Sequence, residues 1–345
     1  MKSFYKCSLF EDESFEVKTE FDVVQEELLL KGAVNKNATR FSKMKVVYSC
    51  KWVQQKDWDS GKPTVIIPIK DGSDLLRHTL LNLKKYNISK HCNLIVVDDR
   101  SEEDIKSIVI DSRLSYLRVD NDKGFNFSML NNIAAKICEK LGNKTIILWN
   151  SDLWCAKEEW FLEILNYHID NNNAVTGTKL LYPTEEVSLT KEADTHNIVN
   201  NFPQMTGGQW RNTVQFGGDT WVPPSYGPIF LSPIHYRRFS NKEDKRVNCI
   251  RGSSFVTGAF QIWDLKRFIE LGGLNPTLSK NLQDVDICLR LLESDEQPIY
   301  YGKNIYFYHD ESPTLDREGK FDNQFKSDHV IFGKIWNHKI IDLVI

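Results

Sequence analysis

From residue 64 onward, short apolar runs alternate with longer segments that have helical spacing of their apolar residues. Four runs predict strands: Thr64–Pro68, Asn93–Val97, Leu114–Val119 and Thr145–Trp149. The segments between and after them predict helices: Leu75–Tyr86, Glu102–Val109, Phe127–Leu141 and Lys157–Ile169. Strands that alternate with helices at this spacing are typical of βαβ units. The first half of this region therefore predicts a mainly parallel sheet flanked by helices.

The alternation breaks over residues 184–250, which are rich in Asn, Gly, Pro and aromatic residues. A stretch of this length without periodicity is usually functional or mobile. The pattern then returns with further predicted elements: strand Ser253–Trp263, helix Asp264–Leu271, helix Leu282–Leu292, strand Pro298–Tyr308 and helix Asp322–Trp336.

Residues 1–60 read differently, with mixed polar composition, a predicted amphipathic helix near Phe21–Leu30 and a predicted strand near Val46–Val53. We therefore divide the chain into an N-terminal extension of unknown role, residues 1–60, and one α/β domain, residues 61–345.

Composition narrows the class of protein. A formal net charge of -3 over 345 residues leaves neither a basic footprint for nucleic acid nor an acidic tail. Seven cysteines without C-x-x-C pairs indicate a reducing compartment, and residues 1–6 lack the apolar core of a secretory signal. The apolar runs are too short to span a bilayer. We expect a cytoplasmic protein whose contact with a membrane, if it works on a surface product, is peripheral.

Acidic residues follow two predicted strands directly. Asp98 and Asp99 come after Asn93–Val97, and Asp152 comes shortly after Thr145–Trp149. Open α/β sheets bind ligands in the crevice beyond the carboxyl ends of their strands. A carboxylate there can hold a divalent cation, and the cation can neutralise a diphosphate, which points toward nucleotide-sugar chemistry.

Each of these residues also has a structural explanation. Acidic residues are common in βα turns, and Asp152 alone could cap a helix. Two further candidates, Asp284 and His309, also have structural explanations. Asp284 could simply complement the positive N-terminus of helix 282–292. A lone histidine at a strand end, such as His309, is more often structural than a ligand.

Eight segments in order strengthen the functional interpretation: Val65–Pro68, Ile95–Ser101, Gly124–Ala134, Leu148–Asp152, Gly177–Pro183, Val256–Phe260, Asp284–Leu291 and Tyr308–Ser312. In the same order, they resemble eight motifs of one enzyme family: the opening strand, the V-V-D-D-x-S turn, the G-F-N-F-S…N-N-x-A helix start, the L-x-N-x-D metal motif, the G-x-K-L-L-Y-P strand, and the V-T-G-A, D-V-D-L-C-L-R-L and Y-H-H-E-S segments. From Thr64 to Trp336 the sequence thus resembles the GT-A glycosyltransferases of family 2, especially the branch that builds bacterial O-antigen and related surface polysaccharides.

The resemblance implies a GT-A fold whose residues 61–183 bind the nucleotide sugar, whose residues 184–250 form an acceptor-side insertion, and whose residues 251–345 carry the catalytic base. It implies roles that we state as expectations: Asp284 as general base; Pro68, Asp98, Asp99, Asn121, Gly124 and Asn150 at the nucleotide sugar; Asp152 and His309 as ligands of Mn²⁺ or Mg²⁺. Trp210, Trp221 and Tyr226 are expected to stack on acceptor sugars.

The expected activity is transfer of a sugar from a nucleotide-diphosphate sugar to a hydroxyl of a glycan or lipid-linked glycan. One base and no evident nucleophile favour a single displacement with inversion. Three departures from the family pattern concern the site: Asn150 stands where the metal motif often has Asp, Gln283 where Glu or Asn is frequent, and Asp310 replaces the second His of Y-H-H-E-S. Two alternatives stay open: a sugar nucleotidyltransferase, although Lys70–Asp74 is a poor phosphate loop, and a catalytically inactive GT-A scaffold that binds glycans or partners.

Overall fold

The structure, a computed structural model, describes residues 13–24, 41–122, 124–189, 210–223, 231–310 and 323–344. These residues contain the following strands: β1 Glu13–Val24, β2 Phe41–Val53, β3 Thr64–Ile69, β4 Asn93–Asp98, β5 Ser115–Asp120, β6 Thr145–Trp149, β7 Leu153–Cys155, β8 Val175–Thr178, β9 Leu180–Leu181, β10 Val214–Phe216, β11 Asp219–Val222, β12 Ser232–His235, β13 Ile250–Gly252, β14 Phe260–Asp264, β15 Ile299–Tyr301 and β16 Phe307–His309.

The same residues contain these helices: α1 Ser73–Lys85, α2 Ile88–His91, α3 Ile105–Asp111, α4 Phe127–Lys140, α5 Glu158–Asp170, α6 Leu265–Glu270, α7 Gln283–Leu292, α8 Asn323–Trp336 and α9 Ile340–Val344. Asn126 caps helix α4, since its side chain accepts a hydrogen bond from the backbone N–H of Met129. At the start of α1, Glu103 accepts from the N–H groups of Gly72 and Ser73.

The first half of the domain forms the predicted parallel sheet. Strands β5, β4, β3 and β6 lie side by side and parallel, in that order, with every residue of β3 and β4 buried. Runs of Val, Ile and Leu without alternation are what a sheet covered on both faces requires. The carboxyl ends of these strands therefore meet at one edge, as the sequence predicts.

The second half extends this sheet with both strand directions. The ten strands follow the order β1-β2-β5-β4-β3-β6-β14-β8-β15-β13, and β14 runs antiparallel to both β6 and β8. Two predicted strands were too long. Of the predicted strand Ser253–Trp263, only residues 260–263 belong to a strand, β14, because residues 253–259 form a loop before it. The predicted strand Pro298–Tyr308 is divided into β15 and β16, which belong to different sheets.

The predicted helix near Phe21–Leu30 is wrong over Phe21–Val24, which continue strand β1; residues 25–30 lie outside the described ranges. Phe21 pairs with Met44 in a continuous antiparallel register with β2, so cross-strand pairing overrides the weak helical periodicity. The strand predicted near Val46–Val53 is confirmed and is longer than expected. Through β2, which pairs with β5, the extension belongs to the same sheet as the domain.

A second sheet, in the order β10-β9-β16-β7, lies over the end of β6 and positions the candidate site. Trp149 at the end of β6 packs against Phe260 and Phe307, with ring centroids 5.5 and 5.6 Å apart. This aromatic contact fixes the second sheet against the first, just where the chain turns from β6 into Asn150.

Candidate functional site

The candidate site lies where β3 and β6 stop pairing, and the edge of the sheet formed there by the turns after β4 and β6 is called the crevice. Their parallel ladder ends at Ile66 and Leu148, whereas the pairing of β3 with β4 continues through Pro68 and Ile69. Proline has no N–H for a further ladder bond, so Pro68 lies at a position where pairing toward β6 is not needed. The turns that follow β4 and β6 bring the predicted acidic residues to this crevice.

Asp98 is held entirely by protein groups. It is buried, accepts hydrogen bonds from the Ser101 N–H at 2.8 Å and the Tyr116 hydroxyl at 2.5 Å, and forms an ion pair with Arg118 at 2.9 Å. This arrangement fixes the turn after β4. The predicted contact of Asp98 with a nucleotide stays a prediction, and its geometry is that of a residue that shapes the turn.

Asp99 differs from its neighbour. It is also buried, and its Oδ2 accepts from the Asn121 amide at 3.3 Å, but its Oδ1 is a buried oxygen without a hydrogen-bond partner among the described residues. Burial raises the pKa of Asp99 to about 6, against the opposing effects of Asn121, of the nearby charge of Lys70 and of the Asn126 N–H, which approaches the carboxylate outside hydrogen-bond geometry. An ionised carboxylate oxygen without a donor is costly, and a ligand N–H or O–H would satisfy it.

The turn that follows β5 joins Asp99 to two other predicted residues. The Asn121 side chain donates to Asp99 and to the carbonyl of Gly124, so all three lie together. Gly124 adopts a φ of +87°, which favours glycine, and apart from its chain neighbours no described residue has a heavy atom within 4 Å of where its Cβ would be. Among the described residues, the turn therefore has free space beside it.

The predicted metal ligands come together through sheet pairing. Strand β16 pairs with β7 so that His309 lies opposite Leu153, the residue after Asp152. His309 Nε2 lies 3.2 Å from Asp152 Oδ1 and 3.2 Å from Asn150 Nδ2. Asp152 and His309 are 8% and 9% exposed, so they are buried yet reachable from the crevice.

A buried glutamine, which sequence reasoning missed, contacts His309 twice. The Gln215 side chain donates its N–H to the His309 carbonyl oxygen at 3.2 Å and presents its Oε1 to His309 Nδ1 at 2.7 Å. Because an amide oxygen only accepts, the ring proton lies on Nδ1, and Nε2 presents a lone pair to Asp152. Two acceptor atoms that face each other across 3.2 Å repel unless a cation or a proton lies with them.

This donor set suits a divalent cation. One carboxylate, one imidazole nitrogen and the diphosphate oxygens of a substrate are ligands that Mn²⁺ accepts, and Mg²⁺ accepts the oxygens. In the described part of the chain no three His, Cys, Asp or Glu side chains form a cluster, so the described residues supply two ligands, Asp152 and His309. Such a site needs the substrate to complete it.

Side chains of helix α1 hold the Asn150–Asp152 turn in place through hydrogen bonds. The buried Thr79 hydroxyl donates to the Ser151 carbonyl and accepts from Trp154 Nε1 at 3.2 Å. One turn further along α1, Asn82 bonds both the N–H and the carbonyl of Cys155. Both residues have ordinary helix positions in the sequence, and no local signal distinguishes them.

The predicted base lies one loop away from the metal ligands. Asp284, in the first turn of α7, accepts from the Gly258 N–H through Oδ2 at 2.7 Å, and a Cβ on Gly258 would lie 3.1 Å from the Asp284 Cβ. The next residue, Ala259, accepts from the Asn150 N–H at 3.0 Å. Asp284 is partly exposed, and desolvation raises its pKa, which makes it a stronger base than an ordinary carboxylate.

Two carboxylates near Asp284 are fully engaged elsewhere. Asp286 forms an ion pair with Arg290 at 2.7 Å and accepts from the Trp336 indole at 2.9 Å. Asp219 on β11 accepts from the side chains of Ser253 and Ser254 and from the Ser254 N–H. Neither carboxylate is arranged to attack a sugar.

The predicted acceptor residues have different surroundings. Trp210 is 2% exposed and packs edge-on against Tyr182 with centroids 5.2 Å apart, so packing explains it and its acceptor role is unsupported by this geometry. Trp221 is half-buried, and its indole donates to the Ser254 hydroxyl at 2.6 Å, close to the loop that contacts Asp284. Tyr226 lies outside the described residues.

A parallel sheet extended by antiparallel strands, with acidic residues beyond β4 and β6, matches the fold of solved GT-A glycosyltransferases. GalNAc-T7, solved with UDP, GalNAc and Mn²⁺, aligns with a TM-score of 0.50 at 12% identity over 73% of this chain and 44% of its own. Residues 64–222 match the family model described as Glycosyl transferase family 2. That segment includes Pro68, Asp99, Asn150 and Asp152 and ends before Asp284 and His309.

Two more distant structures also align. TarS residues 1–349 of S. aureus give a TM-score of 0.45 at 13% identity over 72% of this chain and 60% of that chain. The mannosyltransferase PcManGT of Pyrobaculum calidifontis, solved with GDP-Man and Mn²⁺, aligns with a TM-score of 0.44 at 12% identity. The alignment covers 83% of this chain and 74% of PcManGT. This chain spans less than half of GalNAc-T7, and no curated protein matches its sequence. Among the described helices, none has the length and apolar character needed to cross a membrane.

Proposed function

We propose that the protein is an inverting, metal-dependent glycosyltransferase that moves a sugar from a nucleotide-diphosphate sugar to a hydroxyl group. The observation that carries this proposal is the approach of His309 Nε2 to Asp152 Oδ1 at 3.2 Å, one loop away from the partly exposed carboxylate of Asp284. A metal-ligand pair and a base so close together suit a reaction that needs both charge neutralisation and proton removal.

Asp99 would recognise the nucleoside. Its unpartnered Oδ1 accepts a hydrogen bond from a base N–H or a ribose O–H, and Asn121 holds the other oxygen in place. Because Asp99 is buried, the turn that contains Gly124 must move for a ligand to reach it, and the space beside Gly124 allows this. Asn150, in contact with His309, would lie at the sugar or the diphosphate.

Asp152 and His309 would hold Mn²⁺ or Mg²⁺ together with the diphosphate. When bound, the ion stabilises the negative charge that develops on the leaving nucleoside diphosphate. Asn150 stands where the motif often has a second carboxylate, and His309 supplies the missing protein ligand. In metal-free protein the Asn150 amide donates to Nε2 at 3.2 Å, and it would release that lone pair when the ion binds.

Asp284 would take the proton of the acceptor hydroxyl as that oxygen attacks the sugar. Its raised pKa favours proton transfer, and the Gly258 N–H aims its carboxylate. Asp219 and Asp286 are occupied by protein partners, so a covalent sugar intermediate has no obvious nucleophile among the described carboxylates near Asp284. A single displacement inverts the sugar carbon.

We further propose a glycan or lipid-linked glycan as acceptor, and a role in surface polysaccharide synthesis on the cytoplasmic side of a membrane. The resemblance of residues 64–336 to the O-antigen branch supports this assignment. Trp221 is the described aromatic residue that suits a sugar face, since Ser254 holds its indole near the Asp284 loop.

A panel of nucleotide sugars tests the proposal, with release of the nucleoside diphosphate measured by chromatography in Mn²⁺, in Mg²⁺ and in excess EDTA. We expect slow, metal-dependent hydrolysis of one donor and faster turnover once an acceptor is present. Absence of hydrolysis with every donor, combined with metal-dependent nucleotide binding, would instead support an inactive scaffold. Formation of a nucleotide sugar from a sugar phosphate and a nucleoside triphosphate would identify a nucleotidyltransferase.

A further inference from the structure

Strand β10 carries a bulge at the point nearest His309. Val214 pairs with Leu181 and Phe216 pairs with Leu180, so two steps along β10 correspond to one step along β9. The residue between them is Gln215. A bulge of this kind redirects a side chain, and bulges are frequent beside active sites.

The redirected side chain is buried, at 1% exposure, and makes a two-point contact with one residue. Its N–H donates to the His309 backbone carbonyl, and its oxygen lies 2.7 Å from His309 Nδ1. The backbone contact fixes the direction of the amide, and the amide then fixes the tautomer of the imidazole.

We infer that Gln215 is a positioning residue that sets the orientation and tautomer of His309, so that Nε2 presents its lone pair beside Asp152. This inference rests on the proposed function, in which Asp152 and His309 hold the metal. Residues that bond the second ring nitrogen of a metal-binding histidine commonly change metal affinity by about 10–100-fold when they are removed.

The test compares the full-length wild-type chain with Gln215→Met, Gln215→Glu and a control, Gln261→Met. Methionine keeps the volume and removes the amide, whereas glutamate keeps an oxygen that accepts from Nδ1. Gln261 is an equally buried glutamine that contacts the Val256 carbonyl and the Trp263 indole, not His309. Mn²⁺ is titrated by electron paramagnetic resonance in the presence of UDP and, separately, of GDP, because the site needs diphosphate oxygens to complete it; nitrogen NMR of the imidazole reports the tautomer in metal-free protein.

We expect Gln215→Met to bind Mn²⁺ about 10–100-fold more weakly, Gln215→Glu to lie within about tenfold of wild type, and Gln261→Met to bind as wild type does. NMR should place the His309 proton on Nδ1 in wild type and no longer hold it there in Gln215→Met. If Gln215→Met does not fold, as judged by circular dichroism, the Gln215→Glu variant and the wild-type tautomer decide the matter.

A folded Gln215→Met with wild-type Mn²⁺ affinity would overturn the inference and leave the proposed function intact, as would an equal loss in Gln261→Met. A proton on Nε2 of His309 in the wild-type protein would also overturn it. A wild-type chain that binds no Mn²⁺ would overturn both this inference and the metal part of the proposed function.

Discussion

Replacement of Asp99 by asparagine should stabilise the protein and weaken nucleotide binding at the same time. The Asp99 carboxylate is buried beside Asp98 with one oxygen unpartnered, and burial raises its pKa from 3.8 to about 6. The folded state therefore disfavours the ionised form. An amide of nearly the same shape removes that charge, so the free energy of unfolding should increase.

The magnitude follows from the pKa shift. Each unit corresponds to about 1.36 kcal/mol, so a shift from 3.8 to about 6 costs wild type about 3 kcal/mol when the group is ionised in both states. The sign depends on pH. Below pH 3.8 the carboxyl is protonated in both states and costs nothing. As the pH rises from 3.8 to 6 the unfolded chain ionises first, and the cost grows to its full value above pH 6.

The assay is chemical or thermal unfolding of wild type and Asp99→Asn between pH 5 and pH 8. The variant should be more stable by about 1.5 kcal/mol at pH 5 and by about 3 kcal/mol at pH 8. Its affinity for the nucleoside diphosphate that the donor panel identifies should fall by about 10–100-fold, the loss of one hydrogen bond to a charged group.

The adjacent carboxylate provides the control. Asp98 is paired with Arg118 and Tyr116, so Asp98→Asn should destabilise the fold by about 1–3 kcal/mol, a range that allows for the 25% exposure of the Arg118 side chain. The reasoning would be refuted if Asp99→Asn destabilised the protein, or if it were stabilising and left nucleotide affinity unchanged.

Further predictions concern the base, its supports and the metal. Asp284→Asn should lower the rate of sugar transfer by about 10²–10⁴-fold while donor binding is kept. Asp286→Asn should lower thermal stability with little change in kcat, since Asp286 is bound to protein partners. The opposite pattern would contradict the assignment of Asp284 as the base. Because the pKa of Asp284 is raised, kcat of wild type should fall on the acid side at a pH above that of an ordinary carboxyl, and a pH–rate profile would show it. Thr79→Val should lower stability by about 1–3 kcal/mol and weaken Mn²⁺ binding, measured by unfolding and titration, because the Ser151 carbonyl and the Trp154 indole lose their partner. EDTA should abolish turnover, and Asp152→Ala should reduce nucleotide affinity in Mn²⁺ more than in EDTA; equal effects would remove Asp152 from the metal site.

The parallel half of the fold could be predicted because it depends on local pattern. Strands such as Asn93–Val97 and Thr145–Trp149 are apolar after their first residue, and the helices between them have clear spacing. The N-terminal strand β1 could not be predicted in this way, because its pairing with β2 decides its conformation. Residues 253–259 precede the apolar strand β14 without a strong turn signal, so the pattern predicts them as part of that strand, although they form the loop that contacts Asp284.

The candidate site shows the same limit. The sequence identifies Asp98 and Asp99 as a pair, but only their surroundings show that one is held by Arg118 and the other has an unpartnered oxygen. Gln215 could not be predicted, since it lies in a stretch without periodicity, and a bulge rather than a motif brings it to His309. Long-range pairing, not local propensity, decides these contacts.

The most direct test of the central claim is a crystal structure with Mn²⁺ and the nucleoside diphosphate of the accepted donor, in which anomalous scattering locates the metal. We expect one anomalous peak bonded to Asp152 and His309, with diphosphate oxygens completing its coordination and the nucleoside reaching Asp99. A peak at another site, or a nucleotide bound without contact to Asp152 and His309, would contradict it.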